Sequence, residues 1–510
     1  MLAAVNTLVI TGIDAKVVKV EVDLMLGLPG FDIVGLASAS IREARERVKS
    51  AIKNSGLEFP NKKIIVNLAP ADLKKEGSHF DLAIAAGILA ASGQIDPLPA
   101  NYYLAGELSL DGTVTKVPGI LPMALELAAT ASDAVFIVPE ENSKEAALVN
   151  EITSYATSSL MELYTCLSGQ ASLRSVGVFN PDEYNHIDKI ADFSEVKGQE
   201  TAKRALQIAA AGLHNALLIG PPGGGKTMLA RRVPGILPEM TREEILETSR
   251  IYSVAGLLNP TNPLIVNRPF RAPHKNASAA SIIGGGKIPH PGEISLAQNG
   301  VLFMDELPEF HRDVLEALRQ PLEDKIVTVA RAQATYTFPA NFSLIASMNP
   351  CPCGQFGSET TECRCTPIQI HNYLSRISGP LLDRMDLHVE VPRIKFEHLK
   401  DESSAESSAT IRERIKNARV IQARRFARSK TKLNSEMRPA DIKKHCRLDE
   451  SSERLLKKAF ESFNMSARAY DRILKVARTI ADLDESTDIH IGHLAEAIQY
   501  RSLDRKYWNK

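Results

Sequence analysis

The chain has 510 residues, of which 44% are hydrophobic and 24% charged, and its formal net charge is zero. This length excludes a single hydrophobic core and predicts about three domains of ordinary globular composition. Zero net charge excludes a uniformly basic nucleic-acid-binding chain, so any such contact must come from a local patch. Residues 411–447, rich in Lys and Arg, fit either a solvated helix face or a surface that contacts phosphates.

The start of the chain, its apolar runs and its cysteines together predict a cytoplasmic protein. The first seven residues lack the basic start of a signal peptide. The longest apolar run, residues 82–95, is short for a membrane span and predicts a buried helix. Six cysteines in a long chain without a signal argue against a disulfide framework. We therefore expect a cytoplasmic protein without membrane contact.

Residues 1–168 alternate predicted strands and helices, which indicates an α/β domain. Strands are predicted at residues 17–24 and 63–68, and residues 37–55 have helical spacing ended by a glycine. Residues 169–192 are irregular, with few apolar anchors, which is typical of a linker.

Residues 193–395 alternate short apolar strands with helices, the pattern of a parallel sheet covered by helices. The strands are predicted at residues 215–219, 300–304 and 342–346. The segment 396–408 is charged and rich in serine, as an exposed connection would be, and beyond it apolar residues recur at helical spacing. Residues 396–510 are therefore predicted to form a helical domain.

A phosphate-binding pattern, G-x4-G-K-[ST], occurs as GPPGGGKT at residues 220–227. It follows an apolar strand and precedes a helix, so backbone N–H groups and the helix N-terminus can face an anion. The residues expected to surround the phosphates of ATP are Gly220, Pro221, Pro222, Gly223, Gly224 and Gly225. Lys226 would reach the β- and γ-phosphates, and Thr227 would bind Mg²⁺.

Two later strands end in residues suited to ATP hydrolysis. The strand 300–304 is followed by Asp305, which would hold the Mg²⁺ shell, and Glu306, which would polarise the attacking water. The strand 342–348 is followed by Asn349, whose amide can orient that water. Each signal is weak alone, and the phosphate-binding pattern gives both of them weight.

Four cysteines follow Asn349 with the spacing of a metal site. Cys351-x-Cys353 and Cys363-x-Cys365 bracket a polar loop and supply four thiolates of the kind that hold tetrahedral Zn²⁺. The C-x-C spacing is tighter than the common C-x2-C, so four reduced cysteines without metal are the alternative. We predict a structural zinc in this insert, residues 351–365.

Several further segments resemble the magnesium-chelatase-like branch of AAA+ ATPases, and closely the ComM (YifB) family of bacterial DNA-transformation motors. They are RPFRAPH at 268–274, GGGK at 284–287, PGEISL at 291–296, residues 300–310 and ISGPLLDRMDLHVEVP at 377–392. The resemblance covers essentially the whole chain and implies an AAA+ P-loop core with a helical lid. Lys275, where the family pattern has a second His, and Gly224, in place of a small polar residue, depart from it.

The resemblance also implies roles for arginines. Arg384 corresponds to the arginine finger that reaches the γ-phosphate of a neighbouring subunit, with Arg376 as a weaker candidate. Arg468, at the start of a predicted helix, resembles the second sensor arginine of the lid. Because finger and loop would belong to different subunits, the active site requires a ring, and this class usually forms hexamers.

The N-terminal segments IVNLAPADLKKEG (65–77), FDL (80–82) and GELSLDG (106–112) resemble the Lon-protease-like domain. The serine and lysine of the proteases correspond here to His79 and Leu121, so the catalytic dyad is missing. We therefore expect a non-proteolytic domain that helps to assemble the ring or to guide DNA.

Two basic segments are expected to touch a substrate in the pore of the ring. One is the insertion 269–291, with Lys275 and Lys287, and the other is a predicted hairpin at 325–338 with Arg331 at its tip. Such loops give affinity for phosphates that does not depend on sequence, although they fit ordinary solvent-facing charges as well.

The resemblance thus predicts a ring-forming, ATP-dependent DNA translocase or helicase that acts on single-stranded and branched DNA. It would promote branch migration during natural transformation and homologous recombination. The alternative is a magnesium-chelatase-type motor that drives metal insertion into a porphyrin. The Lon-like domain and the four-cysteine insert favour the first prediction.

Overall fold

The structure is a computed structural model. It describes residues 2–36, 38–177, 190–286, 289–330, 335–357, 361–393, 406–463, 465–503 and 507–508. They form two large sheets with helices packed around them and a set of C-terminal helices, which confirms the predicted α/β class. Among the helices of the described residues, none is long and apolar enough to cross a membrane.

The N-terminal domain is built on an eight-stranded sheet whose centre is a long antiparallel hairpin, Leu2–Thr11 with Asp14–Met25. The other strands are Gly30–Val34, Lys63–Ala69, Tyr102–Leu104, Val135–Pro139, Thr153–Thr157 and Arg174–Ser175. The helices are Ala39–Asn54, Asp81–Ala91, Ile120–Thr130, Ser143–Ala146 and Leu160–Leu167. Every residue of Asp81–Ala91 is buried, as the long apolar run predicts.

The first sheet extends further along the chain than the sequence predicts. Arg174–Ser175 pairs antiparallel with Thr153–Thr157, although the sequence predicts a linker over residues 169–192. This strand has no apolar residue and is exposed, so only its backbone pairing identifies it. Residues 178–189 lie outside the described part of the chain.

The central domain holds a five-stranded parallel sheet. Its strands, in spatial order, are Phe270–Arg271, Val301–Met304, Ser343–Met348, Ala216–Ile219 and Leu387–Glu390. The three middle strands are buried along their whole length, which explains their uninterrupted apolar sequences. Because the strands are parallel, the residues that follow their carboxyl ends meet at one edge of the sheet.

Short helices and two hairpins surround this sheet. The helices are Glu200–Gly212, Lys226–Ile236, Arg242–Val254, Ala279–Ile283, Glu293–Leu296, Arg312–Ala317, Arg319–Asp324, Pro367–Leu374 and Gly379–Leu382. One hairpin pairs Gly284–Gly285 with His290–Pro291. The other pairs Ile326–Ala330 with Thr335–Pro339, which confirms the hairpin predicted at 325–338.

The C-terminal domain is helical in its described residues, as the sequence predicts. Its helices are Ser408–Arg425, Pro439–His445, Glu450–Phe463, Ala467–Leu483 and Ile491–Gln499. The first and fourth pack on the core helix Glu200–Gly212, and the two domains share one hydrophobic cluster. This packing holds the lid against the central domain.

Candidate nucleotide site

The phosphate loop leaves the sheet at the carboxyl end of Ala216–Ile219. Gly223 and Gly225 have φ angles of +79° and +87°, which glycine adopts without strain. A Cβ atom on Gly220 would lie 2.0 Å from the carbonyl oxygen of Val391. The helix Lys226–Ile236 begins directly after Gly225, so its free N–H groups point towards the loop.

Lys226 closes this loop from the inside. Its Nζ donates to the carbonyl oxygens of Gly220 at 2.7 Å and Pro221 at 2.9 Å, and to Oδ1 of Asn349 at 3.2 Å. Burial lowers the pKa of Lys226, and the charges of Asp305 and Glu306 oppose that shift. The ends of two neighbouring strands thus bring the predicted lysine and the predicted amide into contact.

The predicted magnesium ligands also meet. Thr227 Oγ1 donates to Asp305 Oδ2 at 2.8 Å, and the Ser347 hydroxyl donates to the other carboxylate oxygen. A hydroxyl and a carboxylate side by side are oxygen ligands that suit Mg²⁺. Ser347 was not predicted from the sequence, where its only signal is a polar residue within an otherwise apolar predicted strand.

Glu306 lies at the rim of the site. Its φ angle is +55°, and its half-exposed carboxylate accepts a hydrogen bond of 2.6 Å from Lys275 Nζ. This hydrogen bond and the charge of Glu306 raise the pKa of Lys275. Lys275, predicted to contact DNA, therefore contacts the acid that is predicted to polarise the attacking water.

Arg384 lies at the opposite end of the same sheet, where the parallel strands begin. Its backbone carbonyl accepts from Asn215 Nδ2 at 3.0 Å, and Asn215 immediately precedes the strand that ends at the phosphate loop. Four strand residues span about 13 Å. The Arg384 guanidinium is bound by Glu323 and by the carbonyl oxygens of Arg319 and Pro380. Within one chain, Arg384 is thus held away from the phosphate loop.

The two other arginines have different surroundings. Arg376 is exposed, and its Nη1 lies 3.3 Å from an oxygen of Glu309, close to the acid pair. Arg468 is exposed at the start of the helix Ala467–Leu483. One turn later, Arg472 pairs with Asp386 and donates to the Arg384 carbonyl at 3.2 Å. Arg468 therefore lies towards the Arg384 edge of the sheet.

The four cysteines converge on one point. The Sγ atoms of Cys351, Cys353, Cys363 and Cys365 all lie within 4.8 Å of one another, and Cys351 is 3.4 Å from Cys353 and 3.7 Å from Cys363. Zinc–sulfur bonds of ~2.3 Å in a tetrahedron separate the sulfurs by ~3.8 Å, so the cluster fits Zn²⁺. Burial raises the pKa of Cys353, but hydrogen bonds from the backbone N–H groups of Gln355 and Arg364 and from two neighbouring cysteines together lower it to about 6.

Comparison with known proteins identifies the family of this chain. The family model for the magnesium chelatase subunit ChlI matches residues 192–399, and two further ChlI models match residues 20–142 and 405–501. Competence protein ComM of Haemophilus influenzae is 46% identical over 509 residues, which cover 99% of this chain and 98% of that protein. The chain belongs to the ComM family.

YifB of Salmonella typhimurium, also similar to this ComM-family chain, is 44% identical over 509 residues, with 99% of this chain and 98% of that protein covered. Lon protease 2 of Bacillus subtilis is 29% identical over 151 residues, 26% of either chain. The predicted magnesium-chelatase-like AAA+ fold with a Lon-like N-terminal domain is thus confirmed. At the two predicted dyad positions, His79 is buried with Nε2 2.8 Å from the Leu8 carbonyl oxygen, and Leu121 is buried.

The two other residues of this ComM-family chain that are predicted to contact DNA, Lys287 and Arg331, lie outside the described residues. The strands before and after Lys287 in sequence, Gly284–Gly285 and His290–Pro291, are described, as are the paired strands Ile326–Ala330 and Thr335–Pro339, which precede and follow Arg331 in sequence. Both residues therefore stay predictions.

Proposed function

We propose that this ComM-family AAA+ protein is an ATP-dependent, ring-forming DNA translocase that promotes branch migration during natural transformation and homologous recombination. The observation that carries the proposal is the separation of Arg384 from its own phosphate loop, at opposite edges of one sheet. A finger that cannot serve its own loop can serve a neighbour's. Hydrolysis then requires a ring, for which we propose six subunits, and a ring can enclose a polymer.

The same residues account for ATP hydrolysis. Loop N–H groups and Lys226 bind the phosphates, while Thr227 and Asp305 hold Mg²⁺, which neutralises charge on the phosphates. Glu306 polarises the attacking water, and Asn349 orients it. Arg384 acts from the neighbouring subunit on the charge that develops during transfer, and Arg468 is the second sensor arginine of the lid. The four cysteines hold a structural zinc.

DNA is proposed as the cargo because the relative with 46% identity over almost the full length is named a competence protein. Lys275, Lys287 and Arg331 are proposed to contact phosphates of single-stranded and branched DNA in the pore. The Lon-like domain, without its dyad, would assemble the ring or guide the DNA.

A magnesium-chelatase-type motor is the second candidate, since the matching family models carry the name of that enzyme's subunit. A branch-migration assay separates the two functions. The purified protein should move a three-stranded or Holliday junction only with ATP, and forked DNA should stimulate its ATPase with strong dependence on salt. An ATPase that ignores DNA but responds to a chelatase partner would refute the DNA proposal.

A further inference from the structure

The four-cysteine insert and the phosphate loop touch each other. Gly354, next to Cys353, has a φ angle of +77°, and its N–H donates to the Cys351 carbonyl at 2.9 Å. A Cβ atom on Gly354 would lie 2.5 Å from Cδ of Pro222 and 3.8 Å from Cγ of Asn349. The backbone of this turn therefore packs against one residue of the phosphate loop and beside the amide that contacts Lys226.

A second link runs along the chain. Asn349 follows the buried strand Ser343–Met348 and precedes the buried Cys351 by two residues. The Cys351 sulfur accepts a hydrogen bond of 3.3 Å from the Phe356 N–H, so the turn is folded around that sulfur. Any change in the position of Cys351 is thus passed to Asn349 through a single intervening residue.

The position of the turn that carries Gly354 depends on whatever holds the four sulfur atoms together. Sulfurs 3.4 to 3.7 Å apart repel one another once they are ionised, and a bound cation removes that repulsion. Without the cation, the turn that carries Gly354 loses its anchor. Pro222 and Asn349 then lose the surface they pack against, and nucleotide binding must supply the ordering.

We propose that metal binding by the four cysteines positions Pro222 and Asn349, so that ATP affinity depends on Zn²⁺ bound beside the nucleotide site. The proposal rests on the proposed ATPase function and deepens it. Gly354 is a positioning residue, which acts through Pro222 and belongs neither to the phosphate loop nor to the four sulfur ligands.

The first experiment measures zinc content and the Kd for a fluorescent ATP analogue on the same wild-type sample. Treatment with a strong chelator, followed by its removal and by measurement in excess Mg²⁺, should leave the protein without zinc and raise the Kd roughly tenfold, the scale on which supporting residues tune metal sites. Added Zn²⁺ should restore the Kd. An unchanged Kd after complete zinc loss overturns the proposal, as does purified protein without zinc. A zinc-loaded protein that binds no ATP analogue at all refutes the ATPase function instead.

The second experiment separates the metal from the contact by means of glycine variants. Gly354→Ala should keep full zinc and lose no more melting temperature than a glycine control with the same backbone strain, but it should raise the Kd severalfold, because the new methyl group meets Pro222. Gly56→Ala is the matched control, since Gly56 has a φ angle of +75° and open space at its Cβ position. Normal nucleotide affinity in zinc-loaded Gly354→Ala contradicts the proposal.

Cysteine variants complete the test. Cys363→Ser, which removes a sulfur remote from the phosphate loop in sequence, should lower zinc content and nucleotide affinity together. Cys166→Ser, outside the cluster, should change neither. If Cys363→Ser loses its zinc and still binds the ATP analogue with wild-type affinity, the metal does not position the nucleotide site.

Discussion

The backbone of Glu306 is anchored more firmly than its half-exposed side chain. Its N–H donates to Asp305 Oδ1 at 3.1 Å and to Ser347 Oγ at 3.3 Å, which anchors it to the end of the sheet. Its carboxylate is bound by Lys275. In the role proposed for Glu306, the carboxylate must release this lysine before it can act on a water molecule at the γ-phosphate. Lys275 lies in a segment that is proposed to meet DNA, so DNA phosphates would compete with Glu306 for it.

Lys275→Ala should therefore raise the ATPase rate measured without DNA by roughly twofold or more, the scale of an exposed ion pair. The stimulation by forked DNA should shrink in the same variant, because Glu306 is already free. Steady-state ATPase assays with and without DNA test this, with the exposed Lys457→Ala, outside the basic segment 411–447, as control. A basal rate that stays the same or falls contradicts this role of Lys275.

The loop lysine and the acid should separate binding from hydrolysis. Lys226→Ala should lose ATP binding, because the positive charge inside the loop is gone. Glu306→Gln should bind ATP normally but hydrolyse it roughly 100-fold more slowly or worse, the usual contribution of a general base. Equilibrium binding and turnover, measured on both variants, provide the test. Normal turnover by Glu306→Gln would show that another group activates the water.

At the scale of elements, Asp386 joins the central sheet to the lid. It lies at the start of the strand Leu387–Glu390, forms an ion pair with Arg472 of the lid and lies 3.0 Å from His214 Nδ1. His214 Nε2 is 2.8 Å from the Thr479 hydroxyl, again in the lid. Burial alone would raise the pKa of Asp386, but Arg472 and His214 hold it well below the usual range of a carboxyl group.

Asp386→Asn should destabilise the protein by about 3 kcal/mol, because it leaves Arg472 without its partner in a largely buried site. Thermal unfolding would measure the loss, with the exposed Glu461→Gln as control. Since the pKa of Asp386 is lowered by folding, its contribution is complete above the unfolded pKa of about 4 and fades below it. The difference in stability between the variant and the wild type should therefore shrink as the pH falls below that value. A difference in stability that does not change with pH would count against the ion pair.

At the scale of the whole molecule, the N-terminal domain is joined to the motor through the helix Arg242–Val254. Arg250 Nε donates to the Ile13 carbonyl at 2.7 Å, and the Ser253 hydroxyl donates to the buried carboxylate of Glu145. Burial raises the pKa of Glu145, and the hydrogen bond from Ser253 opposes that shift. These contacts tie the Lon-like domain to the AAA+ core, so a movement of either domain can be transmitted to the other.

The ring proposal predicts complementation between two inactive variants. Arg384→Ala keeps its phosphate loop and Lys226→Ala keeps its finger, so an equal mixture should form some complete sites. With random assembly in a head-to-tail ring, half of the loops are intact and half of these face an intact finger, so roughly a quarter of wild-type ATPase should return. Lys226→Ala mixed with the Lys226→Ala/Arg384→Ala double variant is the control. No recovery in the first mixture argues against a shared site.

The central domain and the lid could be predicted from sequence because their signals are local. Fully buried parallel strands have uninterrupted apolar sequences, and the glycines of the phosphate loop are required by local backbone angles. The Arg174–Ser175 strand was missed because it is short, polar and defined only by its neighbour. Ser347 and Glu323 were missed because each acts on a residue distant in sequence.

The sequence by itself predicted a nucleotide site and a metal site, since the loop, the acid pair, the amide and the cysteines are patterns of neighbouring residues. Only the tertiary structure decided where these groups stand relative to one another. The order of the parallel strands brings Lys226 to Asn349 and holds Arg384 at the far edge. Packing between segments brings Gly354 against Pro222, a contact that no spacing along the chain encodes.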